Sequence, residues 1–117
     1  MAKSIWDAIH GLVIAVKEQT DRSEWARTRE ARQTAISGLN LSLTNTRKAY
    51  QYAKTEAQQL EIVQEENKIH IKILKIQILM CDEFQYFGDE EFRQTAETDN
   101  NTLRETYVKI LQRRERA

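Results

Sequence analysis

The sequence predicts an all-α protein, a long helical hairpin or elongated helical bundle with one or two short C-terminal helices and coiled-coil-like packing between copies. Three observations carry that expectation. The 117 residues include no proline and only three glycines, so the turn punctuation of a β-rich or loop-rich fold is missing. A seam with steps of three and four runs through Leu39, Leu43, Thr46, Tyr50, Ala53, Ala57, Leu60, Gln64, Asn67, Ile71, Leu74, Ile78 and Cys81, the spacing that keeps one face towards a partner helix. A second seam joins it at Ile62, Ile69, Ile73, Ile76, Met80, Phe84 and Phe87.

The chain is read as one helical domain over residues 1–117. Its first helix is expected at about 4–36. Ser4 supplies a capping hydroxyl, Asp7 follows three residues later, and Ile5, Trp6, Ile9, Leu12, Val13 and Val16 fall on one face. Beyond Lys17 the pattern thins, and Gly38 is the expected C-terminal cap or the turn after it. The face at Ile5–Val16 is expected to pack on the seam of the next helix.

That second helix is expected at about 44–87, roughly 65 Å long at 1.5 Å per residue. Within it KIHIKILKIQILMC, Lys68 to Cys81, alternates apolar and polar residues at its start as a strand does. The alternation slips at Leu74, whereas both heptad seams run through unbroken and no turn signal flanks the segment. Helix is therefore the reading. Such a helix is apolar on most of its circumference, with a polar stripe of Lys68, Lys72, Lys75 and Asp82, and must be covered on nearly all sides. One shorter helix does not cover two seams on so long a rod, so further cover is expected from other copies or another protein.

After Gly88 short helices are expected at about 89–97 and 102–115, separated by Thr98 to Asn101 acting as a polar loop. Leu103, Tyr107, Ile110 and Leu111 give the last helix its apolar stripe, and the basic end suits the negative pole of its dipole.

Composition narrows function by exclusion. Eighteen basic and eighteen acidic residues balance, so no global field draws in nucleic acid, anionic lipid or acidic substrate. The lone Cys81 sits in an apolar run and forms no intrachain disulfide, which points to a reducing, cytoplasmic setting. The longest unbroken apolar run, Leu12 to Val16, is far short of a membrane span.

No constellation rises to a catalytic site. His10 pairs with Asp7 and His70 with Glu66 at helical distance, but no further inward carboxylates complete a helical metal site, so neither metal nor cofactor is expected. Gly11, Gly38 and Gly88 are isolated and build no phosphate loop, and Cys81 has no nucleophile motif around it.

The function expected is non-enzymatic: an oligomeric assembly, adaptor or scaffolding subunit whose partner is another copy or another helical protein. Its interface residues are Ile62, Ile69, Ile73, Ile76, Met80, Phe84 and Phe87, with Tyr86 and Phe92 near one end. Gln64 and Asn67 are expected to form one polar layer across symmetry-related helices, fixing register. The alternative is an accessory subunit that contacts RNA or DNA. Arg22, Arg27, Arg29 and Arg32 beside Trp25, with Arg113, Arg114 and Arg116, are its candidate contacts, although Asp21, Glu24 and Glu30 are interleaved with the first group. A third reading makes the first helix membrane-active, against which stand its few cations, Lys3 and Lys17.

Overall fold

The computed structural model describes residues 2–117, with side chains from residue 4 onward, and its ordered elements are three α-helices: α1 Ala2–Tyr50, α2 Glu56–Asp82 and α3 Glu90–Arg116. The all-α, elongated architecture is the one expected. Its internal boundaries are not.

The long rod is α1, not the second helix. Gly38 lies inside it in ordinary helical conformation, since no glycine has positive φ, and the helix runs on through the first part of the long seam. α1 also starts at Ala2, ahead of Ser4, so Ser4 is not its N-cap. The break falls at Gln51–Thr55, where neither proline nor glycine occurs. Three amides there close shorter turns, Gln51 to Lys48, Tyr52 to Ala49 and Ala53 to Tyr50, tightening the end of α1 as helix termini commonly do. Thr55 then opens α2. Its hydroxyl accepts from the Gln58 amide at 3.1 Å, and the Gln58 side chain accepts from the Lys54 amide at 2.7 Å. This reciprocal pairing is a capping box shifted by one residue, and TEAQ is its signature in the sequence.

The three helices form a layer with α2 in the middle. α1 packs on α2 and α2 on α3, whereas no α1–α3 packing occurs among the described residues, and the molecule measures 83 × 23 × 16 Å. Contacts between α1 and α2 run in opposite order along the two helices, from Leu43 beside Ile69 and Ile73 to Arg32 at Glu83, so the pair is antiparallel. α2 and α3 are antiparallel too, with Asn67 joined to Arg114 and Asp82 to Arg104. A helix apolar nearly all round therefore finds cover on two sides within one chain, while Leu60, Val63 and Leu79 stay exposed. The second seam faces α1, where Leu43, Ile69 and Ile73 are buried with Ile36 and Leu39 against them. The first seam faces α3: Leu74 and Cys81 are buried, and the Cys81 carbonyl accepts from Asn100 at 2.9 Å.

That last bond also bears on α3. Thr98 to Asn101 do not break the helix, because the Asn100 side chain spends its hydrogen-bonding capacity on α2 instead of on its own backbone, and a mid-helix asparagine costs only a few tenths of a kcal/mol. The α2–α3 turn is tight. The Tyr86 hydroxyl donates to the Asp89 carbonyl at 2.7 Å across Gly88, and a Cβ at Gly88 would stand 2.5 Å from that hydroxyl, so a side chain there displaces the ring.

Candidate functional site

α1 is far longer than its neighbours, about 74 Å against about 40 Å at 1.5 Å per residue. Its surplus lies at the N-terminal end. Trp25 meets Phe87 edge-on, ring centres 5.7 Å apart, and Arg22 donates to the Phe87 carbonyl. Ahead of these contacts every residue from Ser4 to Thr20 is exposed. The expectation that the Ile5–Val16 face packs on the second helix is thus overturned: Ile5 is 63% exposed, Trp6 70%, Leu12 65% and Val13 60%, with Ile9 and Val16 about half exposed. No part of α2 reaches that far, because α2 begins at Glu56 and ends level with Arg32.

Helical phase gives a second reason. Continuing the steps of three and four past Val16 lands on Gln19, Ser23, Ala26 and Glu30, whereas the residues turned to α2 are Trp25, Thr28, Arg32, Ile36, Leu39 and Leu43. At 100° per residue the two faces are roughly 140° apart. The arm therefore points its apolar stripe away from the rest of the bundle. A longer α2 would not have covered it.

The residues expected to form an intermolecular interface lie largely within the chain's own packing. Ile69 and Ile73 are buried against α1, and Ile62, Ile76, Met80, Phe84 and Phe87 are half-buried. Met80 and Phe84 line a shallow groove of about 400 Å³ between α1 and α3, with Ile36 and Leu103 on its sides. Phe92 stays exposed, and the Tyr86 ring carries the Arg93 guanidinium 6.0 Å from its centre. Asn67 finds its partner on α3: its amide donates to the Arg114 carbonyl at 3.1 Å and its oxygen accepts from the Arg114 guanidinium at 3.3 Å. Gln64 is exposed beside it, so the two do not act as one buried layer in the single chain.

The first arginine cluster is largely spent on structure. Arg22 sits over the Phe87 ring at 5.3 Å, Arg29 over Trp25 at 5.4 Å, and Arg27 donates to the Ser23 carbonyl within its own helix. Arg32 makes two bonds to Glu83, at 2.7 and 3.3 Å, which raise its affinity for its proton further. The second cluster is differently placed. Arg113, Arg114 and Arg116 occupy the last turn of α3, at the end of the bundle where Arg47 and Lys48 close α1.

Arg47 reaches His70 there, its Nη2 3.4 Å from Nε2. An arginine only donates, so Nε2 is the acceptor and the ring proton sits on Nδ1. Burial lowers the His70 pKa, the charges of Arg114 and Arg47 lower it further, and Glu66 opposes them. This junction had no signature in the sequence, because its members come from three helices whose register only the fold defines.

Cys81 is buried, and that burial, with Asp82 beside it, raises its thiol pKa, the opposite of what a thiolate nucleophile needs. No group of three or more His, Cys, Asp or Glu side chains gathers among the described residues, and none of their helices is long and apolar enough to cross a membrane. No family model, curated protein or solved structure matches this chain.

Proposed function

We propose that this protein is a non-enzymatic assembly or adaptor subunit whose working surface is the apolar stripe on the N-terminal arm of α1. The observation that carries the reading is the exposure of Ile5, Trp6, Ile9, Leu12, Val13 and Val16 along one face of a helix that extends past its own bundle. Soluble chains seldom leave so continuous an apolar stripe uncovered unless another surface covers it.

A second copy is the simplest partner. Two arms laid antiparallel would bring Ile5 opposite Val16 and Ile9 opposite Leu12, with Ala8 and Ala15 on one flank. Burying both stripes would contribute on the order of 10–20 kcal/mol. Association costs about 4–15 kcal/mol before side-chain ordering. The two terms are of similar size, so the arms should associate reversibly.

Light scattering behind a sizing column, over a range of protein concentration, tests this. The expected result is a mass that climbs from 13.8 kDa towards a defined multiple, and that returns to the single-chain value in Leu12→Ser/Val13→Ser with unfolding midpoint unchanged. A single-chain mass at every concentration rules out self-association and leaves a different helical protein as the occupant.

The second reading, contact with nucleic acid, is favoured by one observation: Arg47, Lys48, Arg113, Arg114 and Arg116 all close helices at one end, and none of them is ion-paired with a carboxylate among the described residues. Salt-dependent binding of a random single strand, lost in Arg113→Gln/Arg116→Gln, would support it. The arm carries no excess of cations over Asp7 and Glu18 to draw it to an anionic membrane.

A further inference from the structure

At the end of the bundle remote from the arm, an open cavity of about 540 Å³ is lined by Arg47, Glu66, Asn67, His70 and Arg114, with Leu60 and Val63 as its apolar wall. Each of the three helices contributes. Last-turn position explains why arginines occur at Arg47 and Arg114, since cations suit the negative pole of a helix. It does not explain why both turn onto one stretch of α2. Arg47 points at His70 and Arg114 at Asn67, on successive turns, and neither guanidinium meets a carboxylate, unlike Arg32 with Glu83 and Arg104 with Asp82. Arg47 is left with a neutral ring nitrogen as its partner, a weak acceptor for a group that binds oxyanions in bidentate fashion.

We infer that this junction is a binding site for a phosphate-type oxyanion, held between Arg47 and Arg114 with His70 as the third donor. The anion takes the place of the His70 ring as acceptor for Arg47, and His70 gains a proton and donates to it. The charges that act on that ring are Arg47 from α1, Arg114 from α3 and Glu66 on its own helix, and the positive pair outweighs Glu66; Ala117 also lines the cavity, and a carboxylate there opposes the ligand as Glu66 does. Binding and protonation are therefore coupled: the site tightens as pH falls through the range in which His70 titrates, while Glu66 repels the anion and at the same time favours the His70 proton that the anion uses.

This site is separated from the arm's stripe by about 45 Å along α1, so its test stands apart from that of assembly. The ring protons of His70 in the full chain are followed by NMR against pH, with inorganic phosphate and with chloride at matched ionic strength. Phosphate is expected to raise the His70 pKa saturably while chloride does not. Arg47→Gln should weaken the response about tenfold, the value of one charged hydrogen bond, and Glu66→Gln should lower the His70 pKa in phosphate-free buffer, a shift that reports a folded junction. A His70 titration that phosphate leaves unmoved overturns the proposal, as does an unchanged response in Arg47→Gln.

A random-sequence single strand, run in parallel, separates the sources of phosphate. Competition between strand and inorganic phosphate identifies a nucleic-acid backbone as a ligand of this pocket. A response to inorganic phosphate alone assigns it to a small phosphorylated molecule. Strand binding that leaves His70 unmoved places nucleic acid elsewhere and removes it as a ligand here.

Discussion

Leucine at 43 and leucine at 41 are two residues apart on one helix and have opposite fates. Leu43 is 5% exposed against Ile69 and Ile73, and Leu41 is 63% exposed. Leu43→Ala should cost about 2–4 kcal/mol in denaturant unfolding, and Leu41→Ala should stay within about 0.5 kcal/mol. Leu43 was legible because it lies on the heptad seam, and Leu41 because it does not. For His70 the sequence shows only Glu66 at helical distance, because its two arginine neighbours, Arg47 and Arg114, stand on other helices. Its folded pKa is depressed, so the unfolded chain binds the proton more readily, and stability present at neutral pH is lost as pH drops below about 6.5. Thermal midpoints measured between pH 8 and pH 5 should fall on the acid side, and His70→Gln should flatten part of that slope.

At the scale of the element, the sequence disclosed helix everywhere and misplaced where helices stop. Glycine often punctuates a helix, yet a Cβ at Gly38 meets nothing within 4 Å and the backbone is ordinary helix. Gly38→Ala should accordingly stabilise the protein by about 0.5–1 kcal/mol, seen as a raised unfolding midpoint. The actual stop at Gln51–Thr55 has no breaker residue and depends on a local bond pattern, Thr55 with Gln58. Thr55→Ala should cost about 1 kcal/mol by the same measurement. Heptad spacing does not reveal such a stop, because the seam residues before and after it, Leu43 and Asn67, stay in phase while belonging to different helices. The strand-like alternation at Ile69, Ile71 and Ile73 is likewise explained by two-sided cover: Ile69 and Ile73 face α1, and Leu74 and Cys81 are buried on the face turned to α3.

At the scale of the molecule, an all-round apolar helix requires outside cover when it is a rod of about 65 Å, and the break at Gln51–Thr55 leaves no such rod in α2. α2 is short enough for α1 and α3 to flank it. The most continuous exposed apolar stripe lies on a different segment, the arm, and is out of phase with the packed face of the same helix. α1 has no break between them, so arm and bundle turn as one body, and the azimuth of the stripe is set by residue count alone. One alanine inserted between Thr20 and Asp21 would swing the stripe by about 100° and advance it by 1.5 Å, whereas seven would restore its bearing to within about 20°. The partner proposed for the arm would thereby be geared to the bundle like a key cut on a straight shaft, its distance and its bearing both measured out along a single helix.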